Sequence, residues 1–557
     1  MSLHHTLKLS LVCSLLLMAT AVARGQATQQ LEAAPQAAAA QQYKLYDART
    51  ADWEILTPKP AAAPRINGPT IYGARAGKEF LYRIPCQGER PIRFEAKGLP
   101  DGLALDAQKG IITGRSPLEP GTYPVEFTAK NAAGTAVRAF KIVVGEKIAL
   151  TPPMGWNSWG GHMLMVDDAL MRKATDLMVD EGLADVGFQY VSIDDCWMRI
   201  DPEYFRQNRK QFEKRMPGFP FEEVVGPPRD EHGRVLPNGN FPDMKAMTDY
   251  IHSFGLKAGI YSSPGPRTCQ NFIGSFGYER EDAEQYAAWG FDLLKYDLCS
   301  GRVTLAQLQR ALPAGSPEIS QLPVWYPMTQ FLAAQDRDIL YNLCQYGLQS
   351  PWEWAGNLGI ESWRIGGDLN HHVETYFEQT LRIAKELREH SKPGHWNDPD
   401  FMYIHKIRDF QNKMGPTKEI PLTSNQRYQY VSLWSIVCAP YFFSADITAL
   451  NDFTIALLAN AEIANVNQDE LGHVAEVIRE SDDEVVMLKK LADGAHVLAV
   501  FNRDMDGDHM IAVGWKEIGL AGKHALRDLW RQKDLGAYAG GVTINVSPGG
   551  CAVLRVE

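Results

Sequence analysis

The run Phe291-Asp292-Leu293-Leu294-Lys295-Tyr296-Asp297-Leu298-Cys299 sets a lysine and an aspartate two positions apart at the end of an apolar, strand-like stretch. Side chains alternate faces along a strand, so Lys295 and Asp297 emerge on the same side. An ammonium beside a carboxylate lowers the acid's pKa and keeps it ionised. That is the state a nucleophile or an electrostatic stabiliser needs. A second carboxyl group, poised to give up a proton, would complete an acid/base pair.

Other strand-like runs end in residues of the same kind. Asp194, Asp195 and Trp197 follow one, Arg364 and Asp368 another, Asn397, Asp398 and Asp400 a third, and Trp159 closes the first. A salt-bridged structural ring accounts for any single member. The whole set suits a polyhydroxylated ring: charged groups bind hydroxyls bidentately and an aromatic face covers the C–H face. Clustered aspartates also suit Mg²⁺ or Ca²⁺. Lys295 and Arg364 already compensate charge there, and the adjacent His371 and His372 would point apart rather than share a zinc ion. The expectation is no metal and no cofactor.

The elements that position these residues form a repeating pattern. Strands are expected over Met154–Trp159, Tyr190–Asp195, Lys257–Ser262, Leu293–Asp297, Ile339–Leu343, Ser362–Ile365, His395–Asp398 and Val437–Phe443. Helical patterns lie between them, including Asp168–Glu181, Asp243–Phe254, Ala283–Trp289, Pro327–Ala334, Val373–His390 and Ser424–Trp434. Eight β/α units predict an α/β fold, a (β/α)₈ TIM barrel whose chemistry sits at the strands' C-terminal ends. Polar insertions over 199–240 and 300–322 follow strands two and four and therefore fall on that face.

The barrel is flanked by β patterns. Tyr123, Val125, Phe127 and Ala129 alternate with polar or small residues, as do Phe140, Ile142 and Val144, with turn signals between. Together with Gly98–Asp106 and Gly110–Gly114 they resemble the Ig-like modules of exported bacterial proteins, which serve mostly as spacers. Beyond Asp469, Val485–Lys489 and His496–Asn502 flank a hairpin turn at Ala492-Asp493-Gly494. The expected organisation is a signal peptide over 1–23, a linker over 24–65, an Ig-like β-sandwich over 66–147, the barrel over 148–470 and an antiparallel β domain over 471–557.

The 557 residues suffice for several domains, and their composition is that of a globular protein. Net charge is -11, and no basic cluster supports nucleic-acid binding. Lys8, the apolar Leu9–Ala23 stretch and Ala21-Val22-Ala23 read as a secretory signal, with a retained anchor as the alternative. The mature chain is expected to lack a membrane span and to be secreted or periplasmic. Of eight cysteines, Cys13 lies in the signal, which leaves an odd number in an exported chain and at least one thiol without an intramolecular mate.

Leu150–Trp159, Ile193-Asp194-Asp195-Cys196-Trp197, Lys295–Cys299, Trp363-Arg364 with Asp368, and Gly394-His395-Trp396-Asn397-Asp398-Pro399-Asp400 resemble glycoside hydrolase family 27. Its members are mostly α-galactosidases, with α-N-acetylgalactosaminidases and a few others. The resemblance implies Asp297 as nucleophile and Asp368 as acid/base. It implies Asp194 and Asp195 gripping the axial O4 and O6 of galactose, Lys295 reaching O3 and O4, and Arg364 near O2 and O3. Trp159 and Tyr261 would line the sugar, and Cys269 and Cys299 would form a disulfide beside it; two buried thiols are the alternative. Hydrolysis with retention needs its two carboxyl groups about 5–5.5 Å apart.

The family often carries Cys-Glu-Trp after strand five, where this chain has Cys344-Gln345-Tyr346-Gly347-Leu348. Gln345 keeps hydrogen-bonding capacity towards O2 without the charge. Gln345 and Leu348 are not the small residues of the acetylgalactosaminidase branch, which favours galactose. Cys344 is expected as a free thiol. A galactose-containing oligosaccharide or polysaccharide is the implied partner. The alternatives are β-L-arabinopyranosidase, α-N-acetylgalactosaminidase, a catalytically inactive carbohydrate-binding protein and a structural surface protein.

Overall fold

A computed structural model describes residues 43–369 and 372–557. The expected signal peptide, residues 24–42 of the expected linker and His371 lie outside the described residues.

Eight parallel strands form the central sheet: β1 (Met154–Asn157), β2 (Tyr190–Ser192), β3 (Lys257–Ser262), β4 (Leu293–Asp297), β5 (Leu340–Cys344), β6 (Ser362–Arg364), β7 (Trp396–Asp398) and β8 (Tyr441–Phe443). Their spatial order is β7-β6-β5-β4-β3-β2-β1-β8. A parallel bridge from Met402 to Phe443 returns β8 to the segment after β7, so the sheet curls round as a (β/α)₈ barrel. Every residue of β4 is buried, on both faces. Tyr296 packs outward on Trp325 and Tyr341, with ring centroids 5.8 and 5.7 Å away. Lys295 and Asp297 take the opposite face.

Several boundaries differ from expectation. β1 stops at Asn157, and Trp159 opens a short helix, Trp159–His162. β2 stops at Ser192, so Asp194 and Asp195 sit on the loop beyond it. The helix leading into β5 begins at Leu322 rather than Pro327: Pro323 sits in its first turn, where a missing N–H costs no hydrogen bond, and Pro327 lies within the helix. Both insertions contain helices, Pro202–Arg215 and Gly301–Ala311.

Two β domains flank the barrel. The N-terminal one pairs a four-stranded with a three-stranded sheet around Phe80, Tyr82, Phe94, Phe127 and Phe140. In the C-terminal one, a six-stranded sheet packs with a three-stranded sheet. Lys44–Asp47, inside the span expected to be linker, forms a strand of that smaller sheet, pairing in parallel with Gly541–Val546. The pairing is sequence-distant, so nothing in the local pattern signalled it. Among the described residues no helix is long and apolar enough to cross a membrane.

Candidate active site

Strand register brings the polar residues to one rim. Tyr261 of β3 stands opposite Lys295 of β4, Lys295 opposite Asn342 of β5, and Arg364 of β6 opposite Asp398 of β7. A cavity of about 660 Å³ opens there. Trp159, Asp194, Asp195, Tyr261, Cys269, Lys295, Asp297, Arg364 and Asp368 all line it.

The Asp297 carboxylate is buried. Its Oδ1 accepts a hydrogen bond from the Tyr346 hydroxyl at 2.7 Å, and its Oδ2 accepts one from the Tyr261 hydroxyl at 3.0 Å. Burial raises its pKa; the Lys295 charge opposes this, the Asp368 charge adds to it, and the two phenols oppose it. The expectation that Lys295 holds Asp297 below the usual carboxylate range is therefore corrected. The Lys295 ammonium hydrogen-bonds Asp194 Oδ2 at 2.8 Å instead, and loss of hydration outweighs its longer-range attraction to Asp297.

Asp368 lies on the open side, with its side chain 38% exposed and Oδ1 3.1 Å from Arg364 Nη2. Arg364 is buried, and it also donates to the Gly367 carbonyl at 2.7 Å and pairs with Asp400 Oδ1 at 3.0 Å. Asp400 Oδ2 accepts the Leu369 backbone N–H at 2.8 Å, which ties down the segment carrying Asp368. Asp400 adopts a φ of 119°, a conformation that non-glycine residues hold only under constraint. Burial pushes its carboxyl up to about 7.

Asp194 and Asp195 form the facing wall. The Asp194 N–H donates to Ser158 Oγ at 3.0 Å. Asp195 accepts from the backbone N–H groups of Cys196 (2.8 Å) and Gln270 (3.0 Å), yet burial pushes its carboxyl up to about 7. Asp398 accepts from Asn342 Nδ2 and from the Asp400 N–H. These carboxylates are thus committed to protein partners rather than converging on one open point, which does not fit a shared divalent ion. Cys269, Asp297 and Cys299 cluster closely, but the two sulfurs are joined and offer no thiolate.

The disulfide joins Cys269 to Cys299, with Cα atoms 4.8 Å apart. The Tyr261 hydroxyl lies 3.0 Å from Cys299 Sγ, so the bridge backs the residue that holds Asp297. Cys86, Cys196, Cys344, Cys438 and Cys551 are buried free thiols.

Gln345 departs from expectation. It is buried, its amide donates to the Leu348 carbonyl at 2.7 Å, and it is not part of the cavity wall. Its neighbour Tyr346, with a φ of 65°, turns into the site instead. Arg302 of the second insertion lies 4.5 Å from the Tyr346 ring centroid, buttressing it. Sequence reasoning missed Tyr346 because its turn follows no alternation pattern. It also missed Phe410, Gln411 and Lys413, which reach the cavity from the loop joining the paired strands Ile407–Arg408 and Thr417–Lys418. The polar stretch 409–416, with its Gly415-Pro416 turn signal, was the available clue. Gln211, Lys214 and Arg215 of the first insertion complete the outer wall.

The arrangement offers one buried and one open carboxyl group, paired cations and an aromatic wall at a single opening. Comparison with known proteins gives a consistent pattern. Residues 151–221 and 222–469 match the family described as Alpha galactosidase A, and residues 481–556 match the Alpha galactosidase C-terminal beta sandwich domain. Residues 63–145 match the Ig domain family He_PIG. An alpha-galactosidase of Cyamopsis tetragonoloba is 31% identical over 406 residues, covering 72% of this chain and 85% of that protein. A solved structure from Bacteroides fragilis superposes with a TM-score of 0.76 at 31% identity, covering 90% of this chain and 100% of that one. Alpha-galactosidase I of Mortierella vinacea superposes with a TM-score of 0.59 at 26% identity, covering 73% of this chain and 97% of that one.

Proposed function

The chain belongs to the alpha-galactosidase A family, glycoside hydrolase family 27, and from its membership as a glycoside hydrolase of alpha-galactosidase type we propose that it releases terminal α-linked galactose with retention of configuration. The observation that carries the reading is the pairing of a buried Asp297, fixed by two phenols, with an open Asp368 at the same cavity.

Asp297 attacks the anomeric carbon and forms a glycosyl ester, while Asp368 protonates the departing oxygen. Asp368 then removes a proton from the water that opens the ester, and both carboxyls return to their starting states. Tyr261 and Tyr346 aim the attacking carboxylate, and their hydrogen bonds favour its ionised form. Asp194, Asp195, Lys295 and Arg364 bind the ring hydroxyls, and Trp159 covers an apolar face. Cys269 and Cys299 brace Tyr261. Gln345 acts indirectly, by shaping the turn that presents Tyr346.

The bulky Tyr346 after β5, in the cavity wall, supports galactose over its N-acetylated analogue. Export to the periplasm or medium follows from the apolar leader and agrees with the disulfide, which persists in oxidising compartments. Initial rates on p-nitrophenyl α-galactoside, α-N-acetylgalactosaminide and β-L-arabinopyranoside test the assignment. The α-galactoside should be turned over fastest. Faster turnover of either rival sugar would reassign the specificity.

A further inference from the structure

Lys214 and Arg215, at the end of helix Pro202–Arg215, and Lys413, in the hairpin after β7, face the outer part of the cavity. None of the three makes a direct ion pair among the described residues, and only Lys413 has a carboxylate, Asp195, attracting it from further off. The contrast with their surroundings is informative. On the same helix, Arg206 pairs with Glu203 and Arg209 with Glu213. Deeper in the cavity, Lys295 pairs with Asp194 and Arg364 with Asp400.

Arg215, from the first insertion, and Lys413, from the hairpin after β7, repel one another. Burial and then the nearby Arg215 charge depress the Lys413 pKa, and the attraction of Asp195 offsets this only in part. Holding like charges together without a counter-ion is unfavourable, and an anion placed between them removes that cost. The Lys413 ammonium donates to Gln270 Oε1 at 2.5 Å, and the Gln270 backbone N–H donates to Asp195 Oδ2 at 3.0 Å. The Lys413 ammonium also lies 5.9 Å from the Trp159 ring centroid. The cationic wall therefore adjoins the sugar-binding end rather than a remote surface.

We propose that Lys214, Arg215 and Lys413 form a subsite for a carboxylate or sulfate carried by the substrate, so that the enzyme's preferred substrates are acidic galactosides. This inference rests on the α-galactosidase reading given above. The aspartates of the inner cavity repel an anion, so the acidic group sits outward of the anomeric carbon. It belongs to the residue next to the terminal galactose, because C6 of that galactose lies with the inner aspartates.

The test measures kcat/KM at low ionic strength on three disaccharides. They are α-galactosyl-galactose, the same compound with galacturonate as the second residue, and the same compound sulfated on the second residue. At least one acidic compound should exceed the neutral one by about tenfold, and which one does so tells carboxylate from sulfate. The ratio should fall toward unity in about 0.5 M salt, where exposed charges are screened. It should also fall in the Arg215→Gln, Lys413→Gln double variant, whose melting temperature is checked alongside. Acidic compounds no faster than the neutral one would overturn the inference, as would a preference that survives salt. Absence of activity on all three would overturn the α-galactosidase reading along with it.

Discussion

The Tyr346 hydroxyl donates a 2.7 Å hydrogen bond to Asp297 Oδ1 from a backbone held at a φ of 65°. The bond favours the charged carboxylate and so opposes the upward push of burial on its pKa. Removing the donor raises the pKa further, so a higher pH is needed to ionise the nucleophile. Tyr346→Phe should therefore shift the acid limb of the kcat/KM profile upward, by about one unit or less. Its activity loss should be larger at pH 5 than at pH 8. An unmoved limb would show that this phenol does not tune Asp297.

Asp368 sits on the open side of the site, where a leaving group departs. Asp368→Ala should slow poor leaving groups by about 10²–10⁴-fold, the range for general acid catalysis. An activated nitrophenolate should be affected much less, because it leaves without a proton. Equal slowing of both classes would remove Asp368 as the acid.

Asp195 carries a pH-dependent stability cost. Its folded carboxyl lies at about 7, above the ordinary value, so the folded state binds more protons than the unfolded state between these two values. Stability from this group therefore declines as pH rises from about 4 to about 7. Asp195→Asn should flatten the fall in melting temperature between pH 5 and pH 7.5, though not abolish it, since Asp400 contributes a similar term. The same variant should raise KM, because Asp195 is proposed to bind sugar hydroxyls. A melting-temperature difference identical to that of the parent would contradict the assigned burial effect.

The Cys269–Cys299 bridge closes a sequence separation of 30 residues, for which chain-entropy arguments give about 3–4 kcal/mol. Mild reduction should lower the melting temperature. It should lower activity as well, because the bridge backs Tyr261 and through it Asp297. The other described cysteines are already free thiols, so the effect reports this bridge. Unchanged activity after complete reduction would separate the bridge from the chemistry.

The barrel was legible because its strands are short apolar runs with long helical spacers, and the β4 alternation placed Lys295 and Asp297 on one face. What escaped was set by contacts distant in sequence or by turns. The Lys295 ammonium could pair with Asp297 or Asp194; only the register of β4 and the loop after β2 decides for Asp194. Tyr346 and Gln345 differ by one position, yet a positive φ at Tyr346 sends one into the cavity and leaves the other in the turn. Lys44–Asp47 pairs with a strand near the opposite end of the chain, a partner that no local pattern specifies. Lys413 was overlooked because a short polar hairpin carries no periodic signature.

The most direct test is to trap the reaction with a fluorinated galactosyl fluoride that forms the glycosyl ester but hydrolyses slowly, and to map the adduct by peptide mass spectrometry. A covalent nucleophile at position 297 predicts one galactosyl label, carried by the peptide containing Lys295-Tyr296-Asp297 and absent from Asp297→Asn. A label on another carboxylate, or inactivation with no covalent mass at all, would contradict it.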